Sequence, residues 1–341
     1  MNHKRHPIFV STTHPPIKRR GALARLAHHS AWIALIAIFL IDGGCSERPE
    51  ATARQVIPRL DPPEPQRLKI VSTTTMIEDL VRNLVGNAAD VSGIMRAGED
   101  PHIYDARPRD AEQIAEADLV FTNGFHLEAT LTNIIKNNAQ GTVIPLAEKA
   151  VAKPLMGNDK SGAADPHCWM NVDYFRGYLG HALEALISAD PANESYYRDN
   201  AARYDAQLAE LDPWIKNQIA SVPKGRRVMV TSHDAFQYFA DAYDIEVRAM
   251  IGISTAEAPR PQEIEKLEKL IRDRKVQALF LETSVSPTLN TLIQKSAEAT
   301  GANIGGTLYS DSLDQPFQPA GTYLGMMRHN TSTIVQALQG S

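Results

Sequence analysis

The sequence predicts an α/β fold of two βα lobes with parallel sheets, joined by a long rigid linker helix. Three observations predict it. Strand-like apolar runs alternate with helical ones over residues 68–146, the pattern by which parallel strands are connected. The alternation stops over residues 173–222, where only helical spacing remains. It resumes at Arg227 and continues to the C-terminal end.

Taken in order, Leu68-Lys-Ile-Val-Ser-Thr reads as the first strand. Residues 76–85 carry helical apolar spacing at Ile77, Leu80, Val81 and Leu84, and Gly86 is the stop. A strand over 90–95, a helix over 109–117, a strand over 119–122, a helix over 127–138 and a strand over 142–146 follow. In the strand-free stretch Pro191 divides two helices. The second, residues 193–220, carries apolar and small residues along one side, and Pro213 is expected to kink it. Its length suits a rigid spine. Strands over 227–231, 245–251, 278–282 and 303–309 then alternate with helices over 235–243, 261–273, 287–300 and 322–338. The helix at Pro261 opens with proline and early acids. The two halves share architecture rather than a close sequence repeat.

Before the first strand the chain reads as an address. Residues 1–44 hold six Lys or Arg and one acid, Asp42. The eleven-residue apolar run 31–41 is short for a membrane span, which needs about twenty residues. It suits the apolar region of an export signal. Gly43 and Gly44 precede Cys45, an order that resembles a bacterial lipoprotein signal whose cysteine becomes the lipidated first residue. Asp42 departs from that pattern, because an aliphatic residue is usual there. Residues 45–67 hold Pro49, Pro58, Pro62, Pro63 and Pro65 and read as an extended tether. The expected organisation is an export signal over 1–44, a lipid-anchored tether over 45–67, an N-terminal lobe over 68–190, a linker helix over 191–222 and a C-terminal lobe over 223–341.

Composition narrows the function. Hydrophobic content of 43% and charged content of 22% suit a globular protein. The overall net charge is −5, but the 297 residues after the leader carry 29 basic and 39 acidic groups, a net of −10. Such a body argues against a nucleic-acid partner and is compatible with attracting cations. Two cysteines, Cys45 and Cys168, exclude a disulfide framework and a Cys-rich zinc cluster.

Six histidines lie beyond the leader. His102, in Gly98-Glu-Asp-Pro-His-Ile-Tyr, follows a predicted strand. His167, in Asp165-Pro-His-Cys-Trp-Met-Asn, precedes a helix. His233 follows a strand directly, as does Asp311 in Leu308-Tyr-Ser-Asp-Ser-Leu. Ligands of open parallel sheets bind beyond the carboxyl ends of strands, so each lobe would offer two groups to a common interlobe cleft. Three neutral imidazoles and one carboxylate suit a divalent transition metal. The separations of 65, 66 and 78 residues form no local metal motif, and by spacing alone the set does not stand apart from chance.

His126, His181 and His329 read as structural, and Met326-Met327 as helix packing. Cys168 adjoins His167, but neighbouring side chains rarely aim at one point, so it reads as a buried thiol. Glu99 and Asp100 are either acceptors that orient a ligating imidazole or turn formers before Pro101. Glu257 and Glu282 are acids that could bond across the cleft.

The strings around these residues resemble the manganese/zinc substrate-binding proteins of bacterial ABC importers. They are Gly98-Glu-Asp-Pro-His-Ile-Tyr-Asp, Asp165-Pro-His-Cys-Trp-Met-Asn, Thr231-Ser-His-Asp-Ala-Phe-Gln-Tyr-Phe, Gly252-Ile-Ser-Thr-Ala-Glu-Ala, Glu282-Thr-Ser-Val and the tail from Leu308 to Asn330. The resemblance keeps the motif order over residues 68–338. Ala106-Arg107 and Pro259-Arg260-Pro261 depart from the usual stretches without touching a candidate ligand. The resemblance implies His102, His167, His233 and Asp311 as metal ligands, Zn2+ or Mn2+ as the transported ligand, and an ABC permease in the cytoplasmic membrane as partner. It also implies a periplasmic or cell-surface location and no catalysis. A monomer is expected. Three imidazoles favour zinc in intrinsic affinity. Yet the loop over 154–164 lacks the histidines that dedicated zinc members often carry, so the resemblance is closer to the mixed manganese/zinc branch. The rival readings are a metal-dependent hydrolase with a His3Asp centre and a surface adhesin on the same fold.

Overall fold

The computed structural model describes residues 67–157 and 162–340, all within one compact unit, Pro62–Ser341. Cys45, the predicted export signal and the predicted tether up to residue 66 lie outside the described residues.

The described residues form two four-stranded sheets. The first contains β1 (Lys69–Ser72), β2 (Asp90–Gly93), β3 (Leu119–Thr122) and β4 (Thr142–Pro145), in the order β2-β1-β3-β4. The second contains β5 (Val228–Thr231), β6 (Glu246–Ala249), β7 (Ala278–Glu282) and β8 (Asn303–Leu308), in the order β6-β5-β7-β8. All pairings within the two sheets are parallel. The two lobes therefore repeat one topology.

Side-chain alternation explains the layers. Ile70, Leu119 and Phe121 face one core, while Val71 and Val120 face another. In the second sheet Met229, Ala278 and Phe280 face the first core, and Val228, Val230 and Leu279 face away. A parallel sheet covered on both faces needs such apolar runs rather than polar alternation. The outer faces are covered by α2 (Pro108–Glu116) and α3 (Ala129–Asn138) in the first lobe, and by α8 (Pro261–Arg274) and α9 (Pro287–Thr300) in the second.

The inner faces meet α1 (Thr75–Val85), α5 (Val172–Ala189), α6 (Glu194–Ala220), α7 (Gln237–Tyr243) and α10 (Tyr323–Gln339) in one continuous core. The predicted spine is α6, and its 27 residues span about 40 Å. Tyr197, Ala201, Tyr204, Leu208, Leu211, Ile215 and Ile219 form its buried stripe, at the alternating three- and four-residue spacing of one helix face. The helix continues through Pro213.

Some boundaries differ from the sequence reading. Residue 146 belongs not to a strand but to a short helix, α4 (Leu146–Ala150), that follows β4. Helix α3 starts at Ala129 rather than 127, because Gly124, Phe125 and His126 all have positive φ. Three such residues form a turn and cannot enter a right-handed helix. His126 thus neither caps nor begins α3. Helix α7 starts at Gln237, and β6 is shorter than expected at both ends.

Candidate metal centre

In both sheets the strand order reverses beside the first strand, and the loops leaving the carboxyl ends there converge between the lobes. His102 lies in the loop between β2 and α2. His167 precedes a 3₁₀ turn, Cys168–Met170, that leads into α5. Asn171 caps α5 by accepting from the Asp173 and Tyr174 amides, which fixes the chain next to that turn. His233 and Asp311 lie two and three residues beyond the ends of β5 and β8.

The structure brings all four predicted residues together. One donor atom from each of His102, His167, His233 and Asp311 lies within 4.8 Å of every other. His102 Nε2 is 3.2 Å from His167 Nε2. Asp311 divides its oxygens, with Oδ1 3.3 Å from His167 Nε2 and Oδ2 3.1 Å from His233 Nε2. Donors about 2.0–2.1 Å from a tetrahedral ion stand roughly 3.3–3.4 Å apart, so these separations match a shared cation. Exposure is 9% for His102, 0% for His167 and His233, and 2% for Asp311.

Two carboxylates orient the rings: Asp165, to which sequence reasoning gave no role, and Glu282, expected to bond across the cleft but found on His233 of its own lobe. Asp165 Oδ1 lies 2.7 Å from His167 Nδ1 and also accepts the His167 amide at 3.0 Å. Glu282 Oε2 lies 2.7 Å from His233 Nδ1, and its Oε1 accepts the Ser232 and His233 amides. A carboxylate on Nδ1 selects the tautomer whose Nε2 lone pair faces the centre and raises its basicity. Ser284 and Ser310 donate to Asp311 Oδ2, each at 3.2 Å. The available signals were Asp165 two residues before His167 and Ser284 two after Glu282, both inside the motif strings.

Asp100 acts through the backbone: its Oδ1 accepts the His102 amide at 2.9 Å. Glu99 does not orient an imidazole. It accepts the Arg96 amide and pairs with Arg107, a residue in one of the stretches that departs from the family pattern. Cys168 is not aimed at the centre, since its Sγ lies 3.8 Å from the Asp165 carbonyl. Burial pushes the thiol up to about 12. His181 lies beside Glu184, and His329 beside the Thr307 carbonyl and the Tyr309 ring. Met326 and Met327 are buried in the core. Glu257 is exposed and lines an open cavity of about 500 Å³ beside β6, which holds none of the four donors.

Charge in the centre is uneven. Burial disfavours a protonated imidazole, and at His102 it lowers the pKa to about 3. At His167 burial acts the same way, but Asp165 and Asp311 outweigh it and raise the pKa to about 9. At His233 burial is outweighed by Glu282 and Asp311, so that ring too holds its proton well above the ordinary range. Burial opposes ionisation of Asp311, yet His233 and His167 hold its carboxyl well below the usual range. A buried cluster with three carboxylates against the rings is therefore arranged to hold positive charge.

The family model described as "Zinc-uptake complex component A periplasmic" matches residues 70–337. The manganese-binding lipoprotein MntA of Bacillus subtilis (strain 168) is 34% identical over 278 residues, covering 80% of this chain and 90% of that protein. The zinc-binding protein TroA of Treponema pallidum (strain Nichols) is 32% identical over 271 residues, covering 79% and 88%. Among solved structures, the periplasmic zinc-binding protein TroA from Treponema pallidum superposes with a TM-score of 0.77 at 33% identity, covering 81% of this chain and all of that one. The Mn-bound periplasmic metal-binding protein from candidatus liberibacter asiaticus gives 0.72 at 27% identity, covering 80% and 100%.

Proposed function

The chain belongs to the zinc-uptake complex component A family, and from that membership we propose that it is an extracytoplasmic substrate-binding protein of an ABC importer. It captures Zn2+ or Mn2+ and delivers the ion to a membrane permease. The observation that carries this reading is the buried convergence of three imidazoles and one carboxylate within 4.8 Å. His102, His167, His233 and Asp311 are the ligands in this reading. Asp311 turns one oxygen toward His167 and one toward His233, so the site offers five donor atoms. Three nitrogens favour zinc, and the second oxygen makes the site more acceptable to manganese.

The chemistry is coordination rather than catalysis. A metallohydrolase keeps an open coordination position for water and a path for its substrate. Four ligand residues at most 9% exposed favour capture of the bare ion. The chain is read as acting outside the cytoplasm as a monomer. In this assignment residues 1–44 are the export signal, 45–67 the tether anchored by a lipid on Cys45, 68–190 and 223–341 the lobes, and 191–222 the linker. The word lipoprotein in the names of several relatives supports the anchor.

Calorimetric titration with Zn2+ and Mn2+, paired with metal uptake in cells lacking the protein, tests the reading. One ion per chain is expected, with binding and uptake both lost in His233→Ala. Turnover of esters or phosphates by the loaded protein would favour the hydrolase. A purified protein that takes up no metal would favour the adhesin.

A further inference from the structure

His102 differs from the other donors. It is the most exposed of the four. Among the described residues, no carboxylate pairs with its ring in the way that Asp165 pairs with His167 and Glu282 with His233. Its position is set through the backbone. Asp100 is buried, and its Oδ1 accepts the His102 amide. The other oxygen, Oδ2, accepts from Thr255 Oγ1 at 2.6 Å. Thr255 belongs to the loop between β6 and α8, which the second lobe contributes. A second link lies alongside, where the Gly98 amide donates to Ser312 Oγ at 2.7 Å. Ser312 is the neighbour of Asp311. The loop carrying His102 is thus fastened to the opposite lobe at two points, each within a few residues of a ligand.

The other two imidazoles are held more directly. His167 and His233 are held at both the ring and the amide by buried carboxylates. Trp169, two residues from His167, donates to the Ser310 carbonyl at 3.0 Å and accepts from the Tyr323 hydroxyl at 2.7 Å through its own carbonyl. The apolar core runs unbroken from one sheet to the other, which opposes a wide separation of the lobes.

We propose that Thr255 is a positioning residue that controls metal release: its hydroxyl clasps the Asp100–His102 loop to the second lobe, and His102 is the first ligand to leave when the clasp opens. This rests on the metal-binding reading above. Loss of the Thr255 hydrogen bond removes a charge-assisted contact that only the closed loop makes, so it accelerates departure without removing a ligand.

The test uses the full chain loaded with Zn2+ and mixed rapidly with excess EDTA. Thr255→Val keeps the shape and removes the hydroxyl. It is expected to release Zn2+ about tenfold faster or more. The association rate and the visible spectrum of the Co2+-loaded protein should be unchanged, because the donor set is intact. Thr255→Ser restores the hydroxyl and should release close to the parent rate. Release by Thr255→Val at the parent rate overturns the clasp, as does release by Thr255→Ser as fast as by Thr255→Val. A parent chain that binds no metal overturns instead the reading on which the clasp rests.

Discussion

His102 and His167 place nitrogens 3.2 Å apart yet hold protons very differently. His102 is neutral at any physiological pH, because burial lowers it to about 3. His167 and His233 stay protonated in the ion-free centre, against the cost of burial, because Asp165, Glu282 and Asp311 face them. A bound cation must displace those protons, since only neutral imidazole coordinates. The sign follows: lowering the pH favours the protonated, ion-free form, so affinity falls as pH falls. With His167 raised to about 9, the fall begins on the alkaline side rather than within the ordinary histidine range. Titrations near neutral pH in buffers of different ionisation enthalpy should report net proton release on Zn2+ binding, and affinity should rise further toward pH 9. An affinity flat across that interval would contradict it. Glu282→Gln keeps the shape but weakens the partner of His233 Nδ1, and affinity should drop by about 10–100-fold, read by competition with a chelator. The four donors were legible in the sequence because each sits in a short string that resembles a family motif, three of them in loops that follow a strand and His167 just before a helix. The orienting roles of Asp165 and Glu282 were not, because nothing local in sequence says toward which ring a carboxylate turns. Glu282 is 49 residues from His233.

At the scale of elements, α6 couples the two halves. Its stripe from Tyr197 to Ile219 is buried in the same core as Phe121 of the first sheet and Phe280 of the second. In the same core Phe175 of α5 stacks on Tyr323 of α10, with centroids 3.6 Å apart. Leu208→Ala should therefore cost about 2–5 kcal/mol. Thermal unfolding of the variant should remain one transition at a lower midpoint, since neither lobe has this core to itself. Two separate transitions would contradict a shared core. The strands, the spine and most helices were legible from apolar periodicity. The start of α3 and the existence of α4 were not. The first depends on positive φ at Phe125 and His126, which no residue type at those positions announces. The second is a single short turn without a periodic face.

For the whole molecule, the repeated strand order β2-β1-β3-β4 and β6-β5-β7-β8 sets two switch points face to face. That arrangement lets residues 65, 66 and 78 positions apart meet at one point. The architecture and this convergence could be anticipated from strand ends together with the family resemblance. The interlobe bonds Thr255–Asp100 and Ser312–Gly98 could not, because they depend on how two independent loops pack. The lipid anchor proposed on Cys45 is tested at this scale as well. Cys45→Ser should move the protein from the membrane fraction to the soluble extracytoplasmic fraction, followed by fractionation and immunoblotting. An unchanged distribution would remove the lipid from the account. The most direct measurement is anomalous diffraction at the zinc and manganese absorption edges from crystals of the metal-loaded protein. One peak is expected, about 2 Å from the nearest donors of His102, His167, His233 and Asp311. A peak elsewhere, or an ion that leaves any of these four side chains uncoordinated, would contradict the account.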